Sequence, residues 1–282
     1  MTATNRADAR ADTRSVKRPH TRPDTVSALD RGLALLQCFS NQQNALGASD
    51  LSRLTGIPRP TVIRLAATLI GHRWLQLEPG SERYRLGAGV VSLAQSFLQG
   101  LDVRAVARAP MQQLAESTNG AVYLAVRDGL EMVLIEACRA RSTMLTARLD
   151  VGSRVPLPNS ALGRAYLGAS EPATRLQLTE SLRHLRGSDW SAQEAGLNAA
   201  LQEFAQHGYC LSAGEFHAEI NSVSVPITGP DGQVMAFNCG GPAFNFSPDH
   251  LRDVVAPALL AMAREIAVAI GGTVQTNQRV PA

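Results

Sequence analysis

Cationic and hydroxyl side chains cluster around a Pro-Arg-Pro triplet in the first quarter of the chain. They are Arg59, Thr61, Arg64 and Thr68, and Pro60 lies among them on the same predicted helix. The apolar residues between them recur at helical spacing and predict the buried face of a helix. The cationic and hydroxyl side chains then belong to the face that does not pack into the core. Guanidinium and hydroxyl groups on such a face can hydrogen-bond to phosphates and to base edges of duplex DNA. A merely solvated helix surface has the same composition, and this alternative stays open.

Nucleophilic side chains are the second kind of reactive group in the sequence. The candidates are Cys239, Cys210 and Ser160, with His184, His207 and His217 as candidate bases. The chain has no Gly-x-Ser-x-Gly elbow, no His-Glu-x-x-His pair and no Walker loop. An isolated cysteine is usually a small core residue. We therefore expect no catalytic residues, and an enzyme built on the C-terminal part is the weaker alternative.

Cysteine usage and hydropathy bear on the compartment. The chain contains four cysteines, at positions 38, 138, 210 and 239, with no Cys-x-x-Cys pair. This spacing argues against a zinc ribbon or a disulfide scaffold and is typical of a reducing cytoplasm. Arg264 and Glu265 interrupt the longest apolar stretch near the C-terminus, and the basic N-terminus lacks the apolar segment of a secretory signal. We expect a soluble cytoplasmic protein without metal or cofactor.

Charge is distributed unevenly along the 282 residues. Residues 1–24 carry six cations against three carboxylates, and residues 25–88 carry seven arginines against four carboxylates, so each segment has a net charge of +3. The rest of the chain holds fourteen arginines and seventeen carboxylates, a net charge of −3. A basic front end on a faintly acidic body favours a polyanion-binding module joined to a second domain.

Periodicity predicts three helices and a hairpin after a disordered leader over residues 1–24. The first helix is expected to be capped by Ser27. The second is expected to be capped by Ser49 and ended by Gly56, and the third to run from Pro58 to near Gly71. Strands near residues 74–77 and 83–86 follow. This order is typical of a winged helix-turn-helix domain over residues 25–87.

The remaining sequence alternates between helical and extended patterns. A helix over residues 88–100 is placed to act as a linker. Further helices are predicted near 103–118, 160–168, 172–183, 193–206 and 247–270, and strands near 121–126, 131–138, 143–149, 209–213, 222–228 and 233–240. Antiparallel strands flanked by helices indicate an α+β domain over residues 101–272, followed by a flexible tail over 273–282.

Several short motifs in this order resemble one family. They are Ser27–Leu33, Gly56–Leu65, Arg83–Gly87, Pro156-Leu157 with Ser160–Ala165, Gly208-Tyr209, Gly214-Glu215, Val225-Pro226 and Gly240–Pro242. Together they resemble the IclR family of bacterial transcriptional regulators over residues 26–272. The resemblance implies an N-terminal winged helix, a linker helix and a C-terminal effector-binding domain of GAF-like topology with a central antiparallel sheet. It also implies homodimers or homotetramers that bind palindromic promoter DNA under the control of a small molecule.

The resemblance assigns the third helix to the major groove of DNA. We expect Arg59 and Arg64 to contact bases or phosphates and Thr61 to contact a phosphate or a thymine methyl group. Free backbone N–H groups in the first turn of the helix would add to the attraction for phosphate. Phosphate contacts are further expected from the preceding helix and from the wing, through Ser49, Arg53, Ser81 and Arg83. For Ser49, a purely capping role is the alternative.

The resemblance also supplies an effector-binding set in the C-terminal domain. It comprises Ser160, Ala161, Ser212, Glu215, Ser222, Asn238 and Gly240. Ser212 stands where many relatives carry an acid, which favours an anionic ligand with Arg148 or Arg154 as its counter-ion. We expect a small organic acid from a catabolic pathway, with aromatic acids among the choices. The alternatives are that these polar residues only cap helices and tie loops, and that the protein binds DNA without an effector.

Overall fold

Nine strands, ten α-helices and two short helical turns follow one another along the described residues of a computed structural model, which are 26–40, 43–141 and 149–275. The chain divides into two units between Ser96 and Phe97. The predicted leader over residues 1–24, and the last seven residues of the predicted tail, lie outside the described residues. The two units are described separately below.

The first unit is a small helical domain with a three-stranded sheet. Its elements are α1 (Ser27–Gln37), β1 (Leu46–Gly47), α2 (Ala48–Thr55), α3 (Arg59–Gly71), β2 (Leu75–Leu77) and β3 (Arg83–Leu86), and then α4 (Gly89–Gln99), which crosses the division. The antiparallel sheet has the order β1-β3-β2. Leu35, Leu51 and Val62 pack from the three helices into one core. The winged helix-turn-helix prediction is confirmed, although the two-residue strand β1 is too short to leave a periodic signal in the sequence.

The starts of two helices differ from the prediction by one residue or more. Ser27 is the first residue of α1 rather than its cap. Ser49 lies inside the first turn of α2, because Gly47 occupies the N-cap position. The Asp50 carboxylate accepts a hydrogen bond from the Gly47 N–H at 3.1 Å and so satisfies a donor at the start of α2. The Gly47 N–H and the Arg53 guanidinium both favour the charged carboxylate, which lowers the pKa of Asp50.

The turn between α2 and α3 ends as the sequence predicts. Gly56 closes α2 with a φ of 71°, in the left-handed region that a side chain would disfavour. The Ser52 hydroxyl donates to the Ile57 carbonyl at 2.7 Å, and the Ile57 N–H donates to the Thr55 hydroxyl at 3.3 Å. These bonds give the turn a fixed geometry and hold α3 at a set angle to α2.

The second unit is a six-stranded antiparallel sheet with helices on both faces. Its elements are α5 (Asp102–Thr118), β4 (Ala121–Asp128), β5 (Glu131–Arg139), β6 (Arg154–Pro156), α6 (Ala161–Ala169), α7 (Pro172–Arg186), a 3₁₀ turn (Gly187–Asp189), α8 (Trp190–His207), β7 (Cys210–His217), β8 (Ile220–Thr228), β9 (Val234–Pro242), α9 (Pro248–His250), a π-helical turn (Leu251–Val255) and α10 (Ala256–Ala269). The strand order is β6-β5-β4-β9-β8-β7. The α+β prediction is confirmed. Strand β6 was not predicted, and most of the predicted extended segment 143–149 lies outside the described residues.

Alternate residues of the central strands enter two separate cores. On β4, Val122 and Leu124 pack with α5 and α10, whereas Ala121 and Tyr123 pack with α6 and α8. Because helices cover both faces, the middle strands are buried along nearly their whole length. Among the described residues, no helix is both long and apolar enough to cross a bilayer.

Phe237 tests the packing of the face that carries α5 and α10. The side chain is fully buried in that core, so Phe237→Ala should lower the free energy of unfolding by about 3–5 kcal/mol. Phe244→Ala is the matched control, because Phe244 is 85% exposed and its loss should change stability by less than about 0.5 kcal/mol. Urea denaturation followed by circular dichroism measures both. Equal midpoints for the two variants would contradict this core assignment.

Candidate nucleic-acid interface and effector cleft

Helix α3 presents an exposed face that carries two cations. Val62, Ala66 and Leu69 bury the opposite face. Arg59 and Arg64 are exposed, and within the described part of the chain neither has an ion-pair partner. Pro60, Thr68 and the 42% exposed Ile63 extend this face, with the half-buried Thr61 at its edge, and the Thr68 hydroxyl donates back to the Arg64 carbonyl at 3.2 Å. The face therefore offers two free guanidinium groups beside small or apolar side chains.

The first turn of α3 has fewer free backbone donors than the sequence suggested. Pro60 has no N–H, and the N–H groups of Thr61 and Val62 both donate to the Pro58 carbonyl, at 2.9 and 3.0 Å. Among the described residues, the Arg59 amide is the one first-turn donor that has no acceptor. The expectation of several free N–H groups here is wrong, and attraction for a phosphate depends mainly on the arginine side chains.

Helix α2 contributes a hydroxyl and a paired cation. Ser49 is exposed in its first turn. Arg53 is also exposed, and its guanidinium lies 3.3 Å from the Asp50 carboxylate. An exposed pair of this kind contributes little to stability and is easily exchanged for another partner. Arg53 can therefore reach a phosphate only in competition with Asp50.

The wing places a third free cation beside the start of α2. Pairing of β1 with β3 sets Gly47 opposite Arg83, whose side chain is exposed and forms no ion pair with the described residues, although its charge helps to lower the pKa of Asp50. At the turn before it, the Ser81 hydroxyl donates to Glu78 at 3.1 Å and accepts from the Arg83 N–H at 3.2 Å. Arg85 forms an ion pair with Glu78 instead. The wing thus offers Arg83 to a polyanion, while Ser81 is engaged in shaping the turn.

In the second unit, a cleft lies between the sheet and the start of α6. It encloses about 510 Å³ including its mouth. Its walls are mostly apolar, and none of the described residues that line it is charged. The lining comprises Ala121, Tyr123, Leu149, Val155, Ser160, Ala161, Leu162, Phe216, Ile220, Ser222, Asn238, Gly240 and Gly241. A small ligand with an apolar body and a few hydrogen-bonding groups suits such a cleft.

The start of α6 supplies two backbone donors to this cleft. The Ser160 hydroxyl caps the helix by accepting from the Gly163 N–H at 3.0 Å, and it donates to the Pro156 carbonyl at 2.6 Å. The N–H groups of Ala161 and Leu162 have no acceptor among the described residues, although both residues are buried. Buried amides without a partner are rare, and a helix N-terminus attracts negative charge. This point of the cleft is suited to a carboxylate.

The opposite wall adds an aromatic ring and neutral polar groups. Burial raises the pKa of the Tyr123 phenol, so the group is a neutral donor. The Arg139 guanidinium lies 5.9 Å from the centre of that ring and pairs with Asp150. The Asn238 amide donates to the Ser224 hydroxyl at 2.8 Å. The Ser222 hydroxyl makes no hydrogen bond within the described chain and can bind a ligand directly.

A buried arginine fixes the loop that leads into α6. Arg164 is 4% exposed; its Nε donates to the Pro158 carbonyl at 2.9 Å and one terminal nitrogen to the Leu211 carbonyl at 3.2 Å. Both terminal nitrogens reach the Glu215 carboxylate, at 2.5 and 2.7 Å. This bidentate pair joins α6 to strand β7 and so sets where the helix begins in the cleft.

Comparison with known proteins identifies the family. The model of the IclR helix-turn-helix domain matches residues 28–79, and that of the bacterial transcriptional regulator IclR C-terminal domain matches residues 95–268. This chain belongs to the IclR family of bacterial transcriptional regulators. It is 34% identical over 244 residues to the HTH-type transcriptional regulator TsaQ1/TsaQ2 of Comamonas testosteroni, covering 86% of this chain and 87% of that one.

Solved structures of IclR-family proteins share the fold. An IclR family transcriptional regulator from Brucella abortus is 38% identical, with a TM-score of 0.79 over 87% of this chain and 93% of that one. An IclR homolog from Microbacterium hydrocarbonoxydans, crystallised with 4-hydroxybenzoate, is 23% identical, with a TM-score of 0.64 over 86% of this chain and 97% of that one. The second likeness concerns the fold alone.

The structure brings most of the predicted effector set together. Five of its seven members line the cleft, namely Ser160, Ala161, Ser222, Asn238 and Gly240. Ser212 and Glu215 do not line it. The Ser212 hydroxyl donates to the Asn159 carbonyl at 3.3 Å, and Glu215 is the partner of Arg164. These two residues hold the loop before α6 rather than face a ligand.

Of the two predicted counter-ions, the one that the structure describes, Arg154, does not line the cleft. Arg154 is half-exposed and forms ion pairs with Asp128 and Glu131, so its charge is already balanced. Arg148 lies outside the described residues. No charged residue belongs to the described lining of the cleft, so the groups there that are suited to an anion are the amides at the start of α6.

Sequence reasoning missed two aromatic residues of the cleft and the buried arginine. Tyr123 could have been found from the alternation of β4, since every second residue shares a face. Phe216 lies within an irregularity in the pairing of β7 with β8, between Ala213 and His217, which no periodicity reveals. Arg164 carries no signal of its own, because a charged residue in a helix is normally exposed.

The candidate nucleophiles do not form a catalytic pair. Cys210 and Cys239 are buried, and burial raises the pKa of Cys239 to about 12, so its thiol stays protonated near neutral pH. The Ser160 hydroxyl is engaged in capping α6. Across the described residues, no hydrogen bond joins a histidine to any of these three groups. None of these three groups is therefore paired with a base in the part of the chain that the structure describes.

Substitution of Glu215 tests the ion pair with Arg164 that joins α6 to β7. Glu215→Ala leaves the Arg164 charge buried without its partner, so it should lower the free energy of unfolding by about 2–3 kcal/mol, between the values for exposed and buried pairs. Glu180→Ala is the control, because Glu180 pairs with Arg183 at an exposed site and should change stability by less than about 1 kcal/mol. Urea denaturation compares them. A Glu215 variant as stable as the Glu180 variant would show that the ion pair between Arg164 and Glu215 does not stabilise the fold.

Proposed function

We propose that this IclR-family protein binds promoter DNA in the cytoplasm through α2, α3 and the wing, and that an organic acid in the cleft controls this binding. The proposal of a ligand rests on one observation: the Ala161 and Leu162 amides, at the buried start of α6, have no acceptor among the described residues. They favour a carboxylate, and the apolar walls favour the body of an acid over a sugar.

The DNA-binding part is supported by the position of the free cations. Arg59 and Arg64 lie on the exposed face of α3, and Arg83 lies on the wing strand that pairs next to the start of α2. Helix α3 has the place of a recognition helix, whose N-terminal residues meet base edges in the major groove. We assign Arg64, near the middle of the exposed face, to a base and Arg59, Arg83 and Ser49 to phosphates. Arg53, Pro60, Thr61, Thr68 and Ser81 complete the proposed contact set.

The apolar surface of α4 supports a homo-oligomer. None of the residues of α4 is buried, and Val91, Leu93 and Phe97 are each more than half exposed. An apolar helix of this kind is stable in water when another surface covers it. A second copy of the chain would cover it and would also present two recognition helices to a palindrome, with half-sites spaced by roughly 34 Å.

The cleft favours an aromatic acid. Tyr123 and Phe216 supply two rings to the lining, and Ala161 and Leu162 line the same space. The Ser222 hydroxyl has no hydrogen-bond partner among the described residues. An acid with one carboxylate, one ring and one hydroxyl would use all of these groups. 4-Hydroxybenzoate has this composition, and an IclR homolog with the same fold was crystallised with it, so it is the first compound to test. Control of an operon for the breakdown of such an acid follows from this proposal.

Arg64 tests the DNA-binding surface. If its guanidinium reads a base, Arg64→Ala should weaken binding to the DNA upstream of the protein's own gene by about 1–3 kcal/mol, while binding to unrelated DNA changes less. Fluorescence anisotropy at fixed salt measures both affinities. Arg186→Ala is the control for loss of a cation, because Arg186 lies at the exposed end of α7 in the other unit. Unchanged affinity of the Arg64 variant would remove this residue from the interface.

The cleft is tested with 4-hydroxybenzoate and its neutral analogue 4-hydroxybenzamide. The acid should raise the melting temperature, because it binds the folded protein, and the amide should have a much smaller effect since it lacks the charge that the α6 amides favour. Ser222→Ala should weaken binding of the acid about tenfold by removing one hydrogen bond.

Three outcomes decide between the alternatives. A shift with both compounds would contradict the carboxylate site, and binding of neutral sugars in place of acids would contradict the ligand class. Specific DNA binding that no acid alters would favour a DNA-binding protein without an effector. Gel shifts of the upstream DNA with and without 4-hydroxybenzoate separate that case from the proposed one.

A further inference from the structure

A carboxylate is buried on the sheet face that lies beneath α5, away from the cleft. Glu136 on β5 is 3% exposed. Its two oxygens accept from Arg104 and Arg108 of α5, each at 3.0 Å. A buried carboxylate has a large desolvation cost unless a cation balances its charge. Glu136 therefore needs these arginines, unlike a carboxylate at the surface, which water can solvate.

An irregularity in the sheet aims this carboxylate at α5. Between β4 and β5 the register shifts, with Leu124 opposite Glu136 and Ala125 opposite Leu134. Ile135 is the extra residue of this bulge and packs into the core beneath α5. Because of the bulge, Ile135 and Glu136 both reach the α5 side although they are neighbours in the chain.

The two arginines on Glu136 differ in one contact. Arg104, which is 20% exposed, also donates from its second terminal nitrogen to the Leu98 carbonyl at 3.3 Å. Leu98 belongs to the last turn of α4, where helix carbonyls lack intrahelical partners and attract cations. Arg108 is 69% exposed and has no bond to α4 among the described residues. Arg104 therefore joins the end of α4 to β5, and Arg108 does not.

The same strands carry the wall of the cleft. On β4, Leu124 stands opposite Glu136 and directly follows Tyr123, whose ring lines the cleft on the other face. On β5, Arg139 stacks against that ring. A shift of the Tyr123 wall when a ligand enters would move the backbone that bears Glu136. Since Arg104 binds both Glu136 and the Leu98 carbonyl, it would transmit such a shift to the last turn of α4.

We propose that Arg104 is a positioning residue that fixes the C-terminal turn of α4 to the sheet through Glu136 and couples the cleft to the helix leading to the DNA-binding unit. The proposal has two halves. The coupling half, from the cleft to α4, rests on the proposed function because it needs a ligand in the cleft. The positioning half, the attachment of α4 to the sheet, needs no ligand. Arg104→Gln removes the charge that bridges Glu136 and Leu98, and Arg108→Gln is the matched control, with the same carboxylate but no contact to α4.

Hydrogen exchange on the full-length protein without ligand tests the positioning half. Amides of residues 97–104 should exchange about tenfold faster in the Arg104→Gln variant and change by less than about twofold in the Arg108→Gln variant. Equal changes in the two variants, or none in either, would overturn it. If Arg104→Gln fails to fold, Arg104→Lys takes its place: its single ammonium cannot span both partners, so the same acceleration is expected.

Titration of upstream DNA with and without 4-hydroxybenzoate tests the coupling half. The Arg104 variant should keep the thermal shift with this acid but lose most of its effect on DNA affinity, so the ratio of the two affinities falls toward one; the Arg108 variant should keep the wild-type ratio. A wild-type ratio in the Arg104 variant would overturn the coupling. If the acid gives no thermal shift with the wild-type protein, the proposed ligand fails, and the exchange measurement still decides the role of Arg104.

Discussion

The burial of Arg164 is the constraint on which the geometry of the cleft depends. A guanidinium that is 4% exposed needs acceptors for its donors, and the Pro158 and Leu211 carbonyls and the Glu215 carboxylate provide them. These acceptors come from the loop before α6 and from β7. Satisfying the buried cation therefore fixes the point at which α6 starts. The unpartnered amides of that start, which define the polar end of the cleft, are placed by a residue that does not touch the cleft.

Close packing holds the other side of the same helix. A Cβ atom added to Gly163 would lie 2.3 Å from backbone atoms of Leu157, so α6 approaches that segment more closely than any side chain would allow. Ser160 completes the arrangement by capping the helix. The start of α6 is thus held on both sides, and a ligand there would meet two amides whose position is already determined. Such preorganisation of the two amides would favour selectivity for a carboxylate.

The sequence predicts those features whose determining residues are neighbours in the chain, and it does not predict those that depend on distant residues. The turn at Gly56 and the hairpin of the wing depend on residues within a few positions, so the winged helix was predictable. The roles of Ser212 and Glu215 were not, because they depend on partners about fifty positions away, Asn159 and Arg164. The bulge that turns Glu136 toward α5 is likewise a product of strand pairing, and alternation alone would assign this residue to the other face.

The two parts of the chain differ in how many of their arginines form ion pairs as well as in net charge. In the second unit, seven arginines pair with carboxylates, at positions 104, 108, 139, 154, 164, 183 and 252. On α3 and the wing, Arg59, Arg64 and Arg83 have no such partner among the described residues. A difference of a few net charges is a weak indication of a polyanion partner, since surface charges are screened within about 10 Å at 0.1 M salt. Exposed guanidinium groups without an ion pair among the described residues are a stronger indication, because each can replace a counter-ion at a phosphate without first breaking an ion pair inside the protein.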